Sequence, residues 1–148
     1  MRGKSPILVV EDNRVDVMTI ERSFKHAKIA NPLVITNNGE EALDYLRGEG
    51  KFAGQKRAAN PCIILLDLNM PLMSGLEFLR IVKADDVFRR IPVVVLTTSK
   101  EENDRVESFN LSVAGYIIKP VDFEKFTHVV TILSLYWTLS ESPWDEGL

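Results

Sequence analysis

"IILLDLNMPLMSG", residues 63–75, is the stretch on which the fold turns. Four large apolar residues, Ile63 to Leu66, run without alternation and stop on an acid, Asp67. A short, unalternating apolar run bounded by turn signals reads as a strand buried on both faces, as parallel sheets require. The acid has a plain reading, since aspartate commonly ends strands and caps helices. It also has a second one, because open α/β sheets bind ligands just beyond the carboxyl ends of their strands.

Similar runs recur at Ile7 to Val10, Leu33 to Thr36, Val93 to Leu96 and Tyr116 to Ile118, giving five strands in all. Helical stripes lie between them: Val17, Ile20, Phe24 and Ala27; Ala42 and Leu46; Leu76, Leu79 and Val82; Val106 and Phe109. A fifth stripe, Phe126, Val130, Leu133 and Trp137, follows the last strand. Ser99 with Glu102 makes a capping box before the fourth helix, Gly115 is placed to end it, and Gly75 stands where the third begins. Strand and helix thus alternate five times, which predicts an α/β, doubly wound, five-stranded parallel sheet with helices on both faces. "GEGKFAGQKRAAN", residues 48–60, reads as a long exposed loop with a frayed helical end. With no repeat and no composition break, residues 1–148 read as one domain with its core at about 5–138 and a loose tail at 139–148.

Composition narrows the class. With 45% hydrophobic and 26% charged residues, the chain can bury a core without staples. No apolar run approaches the length of a membrane span, and nothing at Met1 to Lys4 resembles an export signal. Cys62 is the only cysteine, so no intrachain disulfide forms, which suits a reducing cytoplasm. A net charge of −3 argues against a nucleic-acid surface, and Lys51, Lys56 and Arg57 read as a solvated face. About ten residues follow the last helix, too few for a DNA-recognition domain.

Read at the strand ends, the sequence collects Glu11 and Asp12 after the first strand, Asp67 after the third, Thr97 after the fourth and Lys119 after the fifth. Clustered carboxylates repel one another unless a cation sits among them, and an all-oxygen site suits Mg2+. A lysine and a hydroxyl beside such a site can neutralise and hydrogen-bond a phosphoryl group. An aspartate can be its nucleophilic acceptor.

These residues lie within "VVEDN", "LLDLNMPLMSG", "VVVLTTS" and "GYIIKP", and Asp67, Thr97 and Lys119 stand 30 and 22 residues apart. In motif, order and spacing the chain closely resembles the receiver domain of bacterial two-component response regulators, from about Ile7 to Trp137. The resemblance implies the flavodoxin-like strand order 2-1-3-4-5. It implies that Asp67 accepts a phosphoryl group from the phosphohistidine of a sensor histidine kinase. Asp12 and Asp67 would hold Mg2+ directly, with Glu11 acting through water and Asn69 lending its backbone carbonyl. Lys119 would contact the phosphoryl group, Thr97 would move toward it, and Tyr116 would change rotamer in step, reshaping the surface of the fourth helix, fifth strand and fifth helix. The family's lysine–proline bond, here Lys119–Pro120, is cis. Such a domain is a signalling element whose only chemistry is its own phosphotransfer and dephosphorylation.

The longer loop before the third strand, the "TTS" after the fourth and "VDFEKF" before the last helix are most similar to single-domain regulators that pair with phytochrome-type kinases. That likeness implies a homodimer through the fourth helix, fifth strand and fifth helix. The second apolar stripe Val129, Ile132 and Tyr136 fits such a dimer, and equally fits a long helix that packs more of itself. Two rival functions exist. A receiver-like adaptor that needs no phosphate would have no reason to keep the costly acid set, and a flavodoxin-like carrier would not place the acids of "EDNRVD" where a phosphate must sit. His26 and His128 read as solvated helix positions, Met70 and Met73 as packing, and Cys62 as a buried small hydrophobe.

Overall fold

The computed structural model describes residues 5–54, 60–70, 72–98 and 111–139, with side chains up to 132. Five parallel strands, β1 (Ile7–Val10), β2 (Leu33–Thr36), β3 (Ile63–Asp67), β4 (Val93–Thr97) and β5 (Gly115–Ile118), form one sheet in the order β2-β1-β3-β4-β5. Helices α1 (Arg14–His26), α2 (Gly39–Arg47) and α3 (Gly75–Ala84) and a last helix (Phe123–Leu139) cover its two faces. The predicted fourth helix, with Val106, Phe109, Ser99 and Glu102, lies outside the described residues.

Three readings shift by a residue or so. Asp67 and Thr97 are the last residues of β3 and β4, not the first beyond them, and pair across the sheet with Leu96 and Ile118. Gly115, expected to end a helix, opens β5 opposite Val94. Within 48–60, Gly50–Phe52 form a short 3-10 turn whose Phe52 ring packs edge-on against Tyr45, 5.2 Å between centroids, so this part of the loop is anchored.

The central strands are buried on both sides, and their alternate residues feed two separate cores. Leu8, Val10, Ile64, Leu66, Val93 and Val95 pack against Ala42, Leu46, Phe78, Leu79 and Val82 of α2 and α3. Ile7, Val9, Ile63, Leu65, Val94 and Leu96 pack against Ile20 and Phe24 of α1 and Phe126 and Val130 of the last helix. The Phe24 and Phe126 rings meet edge-on at 5.8 Å. Met70 is buried and Met73 packs against the first core, while His26 and His128 are exposed. Burial also encloses Cys62 and pushes its thiol up to about 11, far from thiolate reactivity.

Short polar residues start each α-helix among the described residues. The side chains of Asn13, Asn38 and Ser74 accept the N–H groups of Asp16, Glu41 and Glu77, three residues on in each case, and Asp122 does the same for Lys125. Gly48 closes α2 in the left-handed region, φ 67°, where a side chain would be strained.

Gly75 carries the tightest constraint. Its N–H donates to Leu68 O at 3.0 Å, drawing the start of α3 onto the end of β3. A Cβ there would collide with the carbonyl oxygen of Asp67 and lie 2.5 Å from Leu68 Cα. Gly75→Ala is therefore expected to destabilise the fold by about 1–3 kcal/mol or more, through backbone displacement beside Asp67. A drop in the urea midpoint checks this, and an unchanged midpoint refutes it.

Candidate functional site

Because all five strands run the same way, their carboxyl ends share one rim. β1 delivers Glu11 and Asp12, β3 Asp67, β4 Thr97 and β5 Lys119. The carboxylates of Glu11, Asp12 and Asp67 each offer an oxygen within 4.8 Å of the others. Glu11 and Asp67 are buried, 0% and 2% exposed, while Asp12 faces solvent. One ammonium answers them: Lys119 Nζ lies 2.9 Å from Glu11 Oε1 and 3.2 Å from Asp67 Oδ2.

Backbone groups fix the acids further. The Asn13 N–H donates to Glu11 Oε2 at 3.0 Å, and the Asn69 N–H donates to Asp67 Oδ1 at 3.1 Å. Asp67 thus has one oxygen aimed at Lys119 and the other held by its own turn. Burial pushes the Glu11 carboxyl up to about 7; the Asn13 N–H and Lys119 oppose that rise, and neighbouring Asp67 adds to it. Burial acts against the Lys119 charge too, but Glu11 and Asp67 more than offset it and hold the ammonium above the ordinary lysine range.

The donor set fits a hard divalent cation. Its oxygens are all carboxylate, three acids share one rim, and the exposed Asp12 leaves the site open to water. Of the predicted residues, Glu11, Asp12, Asp67 and Lys119 converge. Thr97 is buried at the end of β4, where its carbonyl accepts the Lys119 N–H at 2.9 Å. Asn69 is exposed beside Asp67, Tyr116 is 37% exposed on β5, and the Lys119–Pro120 bond is cis.

Asp16 is the residue that sequence reasoning missed. It is buried on α1, its Oδ1 accepts the Val121 N–H at 2.9 Å, and its Oδ2 lies 3.5 Å from Lys119 Nζ. The available signal was a carboxylate one helical turn after Asp12, which also reads as an ordinary acid in a first turn. Its role is to hold the segment after Lys119 and so aim the ammonium. Asp16→Ala is expected to cost about 1–3 kcal/mol by leaving the buried Val121 N–H unmatched. Asp16→Asn, which keeps an acceptor oxygen, should lose less; equal urea midpoints for all three proteins would refute the role.

Known proteins are similar to this chain in sequence and fold. Residues 7–131 match the family model described as the response regulator receiver domain. The probable methanogenesis regulatory protein FilR2 of Methanothrix harundinacea is 38% identical over 88% of this chain and 82% of its own length. The response regulator Rcp1 of Synechocystis is 35% identical over 88% and 87%. Among solved structures, the bacteriophytochrome response regulator RtBRR superposes with a TM-score of 0.81 at 39% identity, covering 96% of this chain and 85% of that one. The phosphorylated cyanobacterial phytochrome response regulator RcpA gives 0.78 at 36% identity, covering 95% and 99%. The Mn2+-bound form of Rcp1 gives 0.77 at 33%, covering 94% and 99%. With its five-stranded sheet, its acid cluster and these relatives in agreement, the chain belongs to the response regulator receiver family and is similar to members associated with phytochromes.

Proposed function

We propose that Asp67 is the phosphoacceptor of this receiver and that a sensor histidine kinase, of phytochrome type, is its donor. The observation that carries the reading is the Lys119 ammonium set between Glu11 and Asp67, beside the solvent-facing Asp12. A carboxylate oxygen of Asp67 attacks the phosphorus of the donor phosphohistidine, the P–N bond breaks, and an aspartyl phosphate forms. Lys119 faces the charge that develops on the transferring group, and the Asn69 N–H keeps the acceptor carboxylate oriented. Glu11, Asp12, Asp67 and the Asn69 carbonyl would hold Mg2+, which when bound offsets the repulsion between carboxylate and phosphoryl group. RcpA, by name a phosphorylated phytochrome regulator, and Mn2+-bound Rcp1 support acceptor, metal and kinase class.

Thr97 and Tyr116 would carry the change outward, Thr97 by turning its hydroxyl to the new phosphoryl oxygens and Tyr116 by altering the exposed side of β5. No described helix is long and apolar enough to cross a membrane, and the buried Cys62 supports work in the cytoplasm. Residues 1–148 act as one receiver domain, catalysing no more than their own phosphorylation and its loss. Ile118, 75% exposed, and Ile132, 52% exposed, lie on β5 and the last helix with the half-buried Val129. They supply an apolar surface for a second copy, centred on the fifth strand and the helices beside it in sequence.

Incubation with Mg2+ and acetyl phosphate should add one phosphoryl group to the intact mass of the wild-type chain. Asp67→Ala, or chelation of the metal, should abolish the adduct, and Lys119→Ala should slow it by about 100-fold. No adduct on a wild type that still binds Mg2+ would leave the phosphate-independent adaptor as the better reading. Light scattering should report a dimer that Ile118→Asp with Ile132→Asp converts to a monomer; a monomer with and without phosphorylation would exclude the dimer.

A further inference from the structure

The turn that leaves β3 holds a residue that its own fold does not account for. Leu72 lies at φ 67°, in the left-handed region, with 77% of its surface exposed. A bulky residue there crowds its own Cβ against the main chain, which glycine avoids and asparagine tolerates. Leu72 follows Pro71, which lies outside the described residues, and a left-handed residue after a proline is the pattern of a tight turn that glycine or asparagine ordinarily fills. Lys28, the other non-glycine residue at positive φ among the described residues, stands just past the end of α1, where a left-handed residue commonly closes a helix. At Leu72 the turn explains the backbone but not the side chain.

The residues around Leu72 turn inward while it does not. Met70 is buried, and Met73 packs on the first core so closely over α2 that a Cβ on Gly39 would lie 3.0 Å from its sulfur. The loop is closed at its base, where the Gly75 N–H donates to Leu68 O at 3.0 Å. Three residues of chain span at most about 11 Å, so Leu72 stays within that distance of Gly75, whose backbone lies against the Asp67 carbonyl. An apolar side chain thus stands in water at the rim, on a backbone that disfavours it.

We propose that Leu72 is a docking contact for the protein that delivers the phosphoryl group, met by an apolar patch on the histidine-bearing surface of the sensor kinase. This rests on the reading of Asp67 as the phosphoacceptor. Asp67 is 2% exposed, so a phosphohistidine reaches it only when the donor protein lies on the rim. Even a transient interface of about 1,200 Å2 in total covers a disc of roughly 14 Å radius on each partner, which takes in Leu72 when centred where Gly75 meets Asp67. Burial of the leucine against the donor contributes what a glycine cannot. A small donor needs only the acceptor and its metal.

Three variants test this. Leu72→Gly and Leu72→Asn suit the left-handed backbone, and Leu72→Met keeps an apolar side chain. Each is phosphorylated with Mg2+ from acetyl phosphate and, separately, from a phosphohistidine-loaded phytochrome-type kinase, with Asp67→Ala alongside. Leu72→Gly and Leu72→Asn should lose at least about fivefold in kcat/KM for the kinase, while their rates with acetyl phosphate stay within about twofold of wild type. Leu72→Asn should keep a urea midpoint no lower than that of wild type, and Leu72→Met should keep the kinase rate. A kinase rate indifferent to Leu72→Gly and Leu72→Asn would overturn the contact. Equal losses with both donors would overturn it in favour of a role in shaping the turn beside Asp67, and a Leu72→Met as slow as Leu72→Asn would overturn its apolar character. A wild type that gains phosphate from neither donor would remove the acceptor reading itself, whereas one that gains it from acetyl phosphate and from no kinase would remove the docking contact alone.

Discussion

One ammonium organises the carboxyl-end rim. Lys119 Nζ lies within 3.5 Å of carboxylate oxygens from Glu11, Asp16 and Asp67, which arrive on three different elements. Without it, buried acids would face one another across a few ångströms in a medium that screens charge poorly. With it, β1, β3, α1 and the end of β5 are tied at a single point. Burial, with Asp67 close by, still raises the Glu11 carboxyl, and a hard cation among the three acids would favour their charged forms.

The sheet makes this concentration of charge affordable in structural terms. Parallel strands bring their ends together without any residue having to reach far, and the apolar runs beneath keep water from most of Glu11 and Asp67. The tight approach at Gly75 and the Asn69 N–H then shape the turn after β3, so that Asp67 is presented by backbone geometry as well as by its counter-ion. On the opposite flank Asp16 holds Val121, and Arg22 stacks 4.2 Å over the Phe123 ring, fixing the chain just past Lys119 to α1.

The parts legible in the sequence are those governed by local pattern. Unalternating runs such as Ile63 to Leu66 identify strands buried twice over, and Asn13, Asn38 and Ser74 are capping residues whose chemistry acts within three positions. The rim acids followed because topology alone carries strand ends to one place. Asp16 was not legible, since its partners Val121 and Lys119 lie more than 100 residues away and a first-turn acid has an ordinary explanation. The one-residue extension of β3 and β4 was hidden for a related reason. Asp67 and Thr97 are polar, and only the ladder shows that they still belong to the strands. Phe52 was assigned to an exposed loop because its anchor, the Tyr45 ring, sits beyond the turn that separates them.

The alternation of the central strands has one more implication. The residues that pack with α2 and α3 and those that pack with α1 and the last helix form two sets with no member in common. The fold is therefore a laminate, two hydrophobic layers glued to a shared sheet of hydrogen bonds. A change of volume in one layer reaches the other only by bending that sheet, so losses on the two sides accumulate almost independently. A substitution on the α2 and α3 side can be absorbed there without repacking Phe24 against Phe126.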